Sequence, residues 1–347
     1  MRINSDADTI REKLKEEESE IVSVALFGQP GAGKSSLINK IIGKKVAEAG
    51  VETDKTTEEA SYIHNGLRLV DLPGYGTKKF PKDEYKEKFH LETFDLFLCV
   101  TSGKFHQADT ELFRELDEMG KVCIFVVNKH DELWEDDVPL EELVLRKKAD
   151  IFKQIGKKVH VVFTSCRNGY GLAELNDNII ANLNDAKRER WLRGAQAYSL
   201  DFLKEKRQAA EKYVAIASAA SAINGLNPIP GADIAVDLSV LVKLFKELRE
   251  SFGLNDSLLG NLKESTIPAV STLANNVIRY AAKEGVMLLL KQFLGRQVLK
   301  SVAKYVPFIG QAVAASAGFA ITYSVGKSYL DDCYSLAETI LKKKLES

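Results

Sequence analysis

The residues of this 347-residue chain best placed to do chemistry lie in four short stretches. They are Gly28-Gln29-Pro30-Gly31-Ala32-Gly33-Lys34-Ser35, Thr56-Thr57, Asp71-Leu72-Pro73-Gly74 and Asn128-Lys129-His130-Asp131. The first has the spacing G-x-x-x-x-G-K-S. Gly28, Gly31 and Gly33 let backbone N–H groups close around a run of phosphates, and a helix beginning there adds partial positive charge. In such a cradle Lys34 reaches the outer phosphates, the Ser35 hydroxyl ligates Mg2+, and Ser36 belongs to the same nucleotide-binding set. Asp71 ends an apolar run and is expected to hold the Mg2+ shell through water. Gly74 has no side chain to keep its N–H from a γ-phosphate. Thr56 or Thr57 can close a hydroxyl onto the metal; which of them does so stays open, with Thr57 the first candidate. Asp131 can accept the ring N–H and exocyclic amine of guanine together, a donor pair that adenine lacks. Asn128 can tie neighbouring loops while the stem of Lys129 covers the face of the base. Ser165-Cys166, at the end of a further apolar run, is expected to close the far side of the base with a backbone N–H. Each motif taken alone occurs by chance; in this order, at these strand ends, they predict a GTP site.

These motifs need rigid elements to hold them. Ile21 to Phe27, Leu67 to Val70, Val122 to Val127 and Val159 to Thr164 read as buried strands, and Ser35 to Ile42 reads as the helix after the glycine loop. Strand-like and helix-like runs alternate over residues 21–183, the pattern of a mostly parallel sheet with helices on both faces. Asn65-Gly66 signals a hairpin and hence one antiparallel edge strand. The predicted fold is α/β plus all-α: a Ras-like P-loop G domain followed by a helical domain. The expected division is an N-terminal helix over 1–20, the G domain over 21–184 and helices alone over 185–347. Gly43 to Glu58 and Tyr75 to His90 are the expected nucleotide-sensing segments.

Composition narrows the function classes. The chain is close to neutral, at −1, but unevenly so: residues 186–347 carry 22 basic and 15 acidic residues, the remainder 26 and 34. Opposite signs suit two domains. The four cysteines, Cys99, Cys123, Cys166 and Cys333, form no C-x-x-C pair, which argues against a zinc site or disulfide framework and fits a reducing cytoplasm. Residues 1–20 are charged and helix-prone, unlike a signal peptide, and Arg2 breaks the N-myristoylation pattern. No basic cluster interleaved with aromatics appears, so no nucleic-acid partner is expected. Val306 to Gly326 holds 21 residues without a formal charge, long enough to span a bilayer. Pro307, Gln311 and the many Ala, Ser and Gly residues favour a buried helix packed in a soluble bundle instead.

With these motifs placed, the chain resembles the immunity-related GTPases, relatives of the dynamin-like large GTPases. The resemblance runs through most of the chain. It rests on Gly31-Ala32-Gly33-Lys34-Ser35-Ser36, on Asp71-Leu72-Pro73-Gly74-Tyr75-Gly76, and on Thr101-Ser102-Gly103-Lys104-Phe105 followed by Asp109. In the helical half it rests on Asn227-Pro228-Ile229-Pro230-Gly231-Ala232-Asp233-Ile234-Ala235-Val236-Asp237 and on Ile309-Gly310 through Thr322-Tyr323. That half also resembles the small helical domain appended to some bacterial GTPases. Many vertebrate members carry Thr where this chain has Asn128, so it looks like a divergent, non-vertebrate or bacterial member. The resemblance implies pairing of G domains across the nucleotide.

GTP hydrolysis needs a positioned water and compensation of charge at the γ-phosphate. Tyr75 stands directly after Gly74, where Ras-like proteins carry the glutamine that orients the water, and a phenol does that poorly. The water must be held by a backbone carbonyl, by Glu58 or Glu59, or by a second molecule. Lys34, Thr57, Gly74 and Glu58 are the catalytic candidates. Two functions compete: a self-assembling GTPase whose helical domain engages copies of itself or anionic membranes, as a cytoplasmic or peripheral membrane protein, and a monomeric GTP-dependent switch that gates a protein partner.

Overall fold

The computed structural model describes residues 2–47, 60–103, 105–225, 227–229, 234–294, 309, 313 and 316–346. The chain forms two compact units, Ile21–Tyr198 and a second made of Met1–Glu20 with Ser199–Ser347. Thr56, Thr57, Glu58 and Glu59 lie outside the described residues, as does most of the first expected sensing segment.

In the first unit, β1 (Val22–Phe27) is buried at all six positions because it runs through the middle of the sheet. It pairs parallel with β3 (Leu67–Asp71) on one side and β4 (Leu96–Thr101) on the other. β5 (Val122–Val127) and β6 (Val161–Phe163) continue the parallel ladder. β2 (Ala60–His64) runs antiparallel to β3 at the opposite edge, giving the order β2-β3-β1-β4-β5-β6. Asn65 and Gly66 both take positive φ, 47° and 70°, as a two-residue turn that matches strand twist requires. Central strands here read as unbroken apolar runs because helices cover both faces. α2 (Lys34–Ile42) turns Leu37, Ile38, Ile41 and Ile42 inward at helical spacing and stops at Gly43, whose φ of 82° suits a left-handed cap.

Between β3 and β4, Tyr75, Phe80, Tyr85 and Phe89 join the aromatic core, with α3 (Lys82–Lys88) carrying Tyr85 fully buried. Tyr85 packs edge-on to Tyr75 at 5.1 Å and lies 4.6 Å from Phe89. α4 (Gln107–Glu118) and α5 (Leu140–Ile155) add Leu112, Phe113, Leu116, Ile151 and Ile155 to that core. α6 (Leu172–Ala181) and α7 (Asp185–Gly194) close the unit.

The first unit extends to Tyr198, beyond the boundary at 184 that the change of pattern suggested. The reason is Trp191 on α7, fully buried and donating its indole N–H to Asn176 Oδ1 at 3.2 Å. Past α7, Gln196 donates its backbone N–H to Ile41 O at 2.8 Å, and its carbonyl accepts from Asn176 Nδ2 at 3.0 Å.

Residues 1–20 do not stand alone. α1 (Arg2–Ser19) belongs to the helical unit, packing on α8 (Leu200–Asn224) with Ala7 and Ile10 buried and Glu18 paired to Lys243 at 2.6 Å. The α8 stretch from Ala209 to Ser221 is buried almost throughout and rich in small residues. After it, β7 (Asn227–Pro228) and β8 (Ala235–Val236) form a two-residue ladder, with Ile229 buried and donating to Ile234 O at 2.8 Å. The expected Pro-Ile-Pro-Gly turn is described only up to Ile229. α9 (Leu238–Ser251), α10 (Asp256–Lys263), α11 (Pro268–Tyr280) and α12 (Lys283–Phe293) lead to the long α13 (Ala317–Glu346). α13 approaches α8 closely: Thr322 donates to Ser218 O at 2.9 Å, and a Cβ on Gly326 would meet Val214 at 2.8 Å. Of residues 306–326, only 309, 313 and 316–326 are described, and there Ile309, Val313, Phe319, Tyr323 and Val325 are buried. No helix among the described residues is long and apolar enough to cross a membrane.

Candidate nucleotide site

The described motifs meet at the C-terminal ends of the parallel strands, where open α/β sheets place ligands. Leaving β1, the chain turns through Gly28, Gly31 and Gly33 with φ of 133°, 77° and 95°. Two of these glycines are enforced by their neighbours. A Cβ on Gly28 would lie 2.0 Å from Val100 O, and one on Gly33 would lie 2.2 Å from Asn128 Nδ2. Lys34 opens α2, and its ammonium donates back to Gly28 O at 2.9 Å and Gln29 O at 3.4 Å, drawn around the loop it must serve. Ser36, half-buried, follows in the first turn.

Asp71, at the end of β3, completes a triangle with the two P-loop side chains. Ser35 Oγ donates to its Oδ2 at 3.2 Å, and Lys34 Nζ stands 3.7 Å from Oδ1. Burial pushes the Asp71 carboxyl above its usual range, while Lys34 and Ser35 pull the other way. Oδ1 is buried without a hydrogen-bond partner. A hydroxyl and a carboxylate with a spare buried oxygen make a hard donor set that fits a divalent cation such as Mg2+. Gly74 lies exposed just beyond, behind Pro73, whose carbonyl accepts from Tyr85 Oη at 2.5 Å. The aromatic core thus holds this loop from beneath. Tyr75 turns the opposite way: it is buried, its hydroxyl bonds Glu115 on α4, and burial followed by Glu115 drives its pKa far up.

On the other flank, Asn128 is the knot that the sequence suggested. Its Nδ2 donates to Ala32 O at 3.0 Å, its Oδ1 accepts from Thr164 Oγ1 at 3.2 Å and Cys166 Sγ at 3.5 Å, and its backbone N–H reaches Thr101 O at 2.7 Å. One buried asparagine therefore joins the P-loop to the end of β6 through its side chain and to the end of β4 through its backbone N–H. Lys129 takes φ 61°, a left-handed conformation uncommon outside glycine, which reverses the chain so that Asp131 follows in a short 3-10 turn. A hydrogen bond from Ser165 holds the Asp131 carboxyl below its usual range, with Arg167 adding to the effect. The backbone N–H of Ser165 donates to Tyr170 O at 3.0 Å, so that N–H is committed within its own loop. The Cys166 thiol is pushed up to about 11 by burial, so it sits protonated as a donor to Asn128.

Two contributions were not visible in sequence. Gln29 donates to both oxygens of Asp109 on α4, at 3.4 and 3.2 Å, anchoring the P-loop's second residue to a buried carboxyl. Arg167 reaches Asp131 with Nη1 3.2 Å from Oδ2. The only sequence signal for it was a basic residue directly after Ser165-Cys166.

A glycine cradle at the tip of a central parallel strand, a buried carboxylate beside its Lys and Ser, and an Asn-Lys-x-Asp turn two strands away define a P-loop GTPase. Comparison with known proteins makes the assignment specific. A family model described as Interferon-inducible GTPase (IIGP) matches residues 2–344, and the chain belongs to that family. It is 27% identical over 379 residues to Interferon-inducible GTPase 5 of Bos taurus, covering 98% of this chain and 79% of that protein. To Interferon-inducible GTPase 1 of Mus musculus it is 26% identical over 275 residues, 73% of this chain and 66% of the other. Among solved structures, Aquifex aeolicus Era bound to GDP.AlF4- gives a TM-score of 0.38 at 21% identity, over 56% of this chain and 67% of that one. The protein binds and hydrolyses GTP.

Proposed function

We propose that this GTPase turns over slowly as a single copy and is activated when a second copy completes its active site. The observation that carries this is the position of Tyr75. The residue after Gly74 is the natural place for a side chain that orients the attacking water, yet this phenol is buried against Tyr85 and bonded to Glu115. The water must then be held by a backbone carbonyl, by Glu58 or Glu59, or by a partner copy across the nucleotide, and we favour the partner copy.

Within one copy the roles follow from position. Lys34 neutralises the outer phosphates, the N–H groups of the Gly28–Gly33 turn cradle them, and the N–H of Gly74 meets the γ-phosphate. Asn128 fixes the floor of the base pocket, the Lys129 stem covers the ring, and Asp131 reads its N–H edge. Ser35 and Asp71 would hold Mg2+, with Thr57 as the further ligand. When bound, the cation supplies compensation for charge building on the phosphate oxygens. The helical unit would engage other copies or an anionic membrane surface; with residues 1–20 counted in, its 22 basic and 21 acidic residues leave it nearly neutral, so membrane contact would rest on local basic patches.

GTP turnover per molecule, followed across a wide range of protein concentration with ATP as control, tests this directly. Turnover per molecule should climb as concentration rises. A flat profile would refute activation by assembly and leave a monomeric switch that gates a partner through its helices. Co-sedimentation with anionic against zwitterionic vesicles tests the membrane part; equal recovery with both would refute it.

A further inference from the structure

The loop after β6 is more rigid than its exposure suggests. Ser165 N–H donates to Tyr170 O at 3.0 Å and Gly169 N–H to Ser165 O at 2.9 Å. The Ser165 hydroxyl oxygen accepts from the backbone N–H groups of Arg167 and Asn168 at 3.2 and 3.4 Å, and Tyr170 N–H donates to Asn168 Oδ1 at 3.0 Å. The Tyr170 ring stacks on His130, centroids 4.1 Å apart and planes 6° from parallel. This ties the loop to the very turn that carries Asp131. Arg167 therefore rises from a fixed base, and its guanidinium lies 3.2 Å from Asp131 Oδ2 and 3.9 Å from Glu132 Oε1. Its side chain is 76% exposed, so this contact is no by-product of filling a core.

We propose that Arg167 is a specificity-determining positioning residue: it holds the Asp131 carboxylate in the orientation that accepts the two donors of the guanine edge. An ionised carboxylate offers about four lone-pair directions. The guanidinium charge beside Oδ2 leaves enough of them for a ring N–H and an exocyclic amine to bond side by side. An acceptor of two parallel bonds works only when its plane is aligned, and a carboxylate turns about a soft torsion unless something stops it. Ser165 and Arg167 restrain that rotation together. The inference rests on Asp131 being the guanine reader. Because the ion pair is exposed, its effect is bounded at about three- to fivefold in affinity.

The test uses the full chain and a fluorescent GDP analogue. Arg167→Gln should weaken binding about three- to fivefold at low salt. Arg167→Lys should recover part of the loss. The ratio of variant to wild-type affinity should approach one near 1 M salt, where screening acts over about 3 Å. A residue that merely supports the loop would give a ratio insensitive to salt. Asp131→Asn supplies the second arm, because an amide at this place can donate to the carbonyl that xanthine carries instead of the amine. In that background, Arg167→Gln should leave xanthosine diphosphate affinity unchanged. Unchanged or tighter GDP binding by Arg167→Gln would overturn the inference; tighter binding would mean that the guanidinium competes with the base. An equal loss in the Asp131→Asn background would overturn it too. If Asp131→Asn alone keeps full GDP affinity, the base-reading assignment fails and takes this inference with it. If Asp131→Asn loses GDP while Arg167→Gln does not, Arg167 alone is refuted.

Discussion

Gly33→Ala separates two reasons for a glycine in the phosphate loop. The first is conformational: φ at Gly33 is 95°, and a left-handed backbone costs an L-residue about 1–2 kcal/mol. The second is contact, since the added Cβ would lie 2.2 Å from Asn128 Nδ2. Asn128 cannot step aside freely. Its amide donates to Ala32 O at 3.0 Å and accepts from Thr164 at 3.2 Å, both buried, and displacing it leaves those groups unpaired at about 1–3 kcal/mol. The expected loss for Gly33→Ala is therefore about 2–5 kcal/mol. Gly31→Ala is the internal control: its φ is 77°, but nothing lies within 4 Å of the new Cβ, so only the backbone cost of about 1–2 kcal/mol applies. Tryptophan fluorescence during urea unfolding is the right assay. Both tryptophans, Trp134 and Trp191, belong to the G-domain unit, Trp191 is fully buried, and Trp134 is 77% exposed, so the signal reports on that unit alone. Adding Asn128→Ala to Gly33→Ala should remove the clash, so the double variant should lose less than the two singles together by about 1–3 kcal/mol. If Gly33→Ala matches Gly31→Ala, or if the two losses simply add, the contact argument is wrong.

Three further outcomes follow from the same geometry. Lys34→Ala should abolish GTP binding or nearly so, because no other described side chain reaches around the loop from α2; titration with a fluorescent GTP analogue checks this, and normal affinity would refute the role of Lys34. Tyr75→Phe should lower stability by about 1 kcal/mol through loss of the bond to Glu115, yet leave basal turnover per molecule unchanged. A fall in turnover at equal folded fraction would make the phenol a participant in hydrolysis. The Cys166 and Cys123 thiols are pushed up by burial to about 11 and about 12, from an ordinary value of 9.0. The unfolded chain then releases these protons first as pH rises, so their contribution is intact below pH 9 and drains away between about 9 and about 12. Thermal midpoints should drop across that window, and less steeply in Cys123→Ser with Cys166→Ser; an equal slope would refute the attribution.

Much of the G-domain unit was legible in sequence because its signals are local. Apolar runs ending at Phe27, Val70 and Val127 mark strands that are buried on both faces, and Asn65-Gly66 marks the one reversal the edge strand needs. Glycines at 28, 31 and 33 announce positive φ without reference to anything distant. The segment 75–90 was harder. It reads as a nucleotide sensor, and of its aromatic residues at 75, 80, 85 and 89 only the last two stand at helical spacing, so the shared burial of all four had no visible period. The contacts made by Arg167 and Asp109 were hidden for another reason. The pairs Arg167–Asp131 and Asp109–Gln29 join residues 36 and 80 positions apart, and only the closed sheet brings their loops together. The domain boundary at 184 followed a change in pattern that is real, but Trp191 outweighs it, since so large an aromatic side chain goes where a core can take it.

The route of the chain through its two units sets an order of events at the ribosome. α1 is made before the G-domain unit, yet its partner α8 lies on the far side of residues 21–198. At roughly 5–20 residues per second, that interval takes on the order of ten to forty seconds. An isolated helix of 18 residues is marginal in water, and its main packing partner, α8, has yet to emerge. The G-domain unit, in contrast, is contiguous and can finish folding as soon as Tyr198 is clear. A helix made before the G-domain unit thus settles after it, and anything that binds nascent amphipathic helices has its opening during that wait.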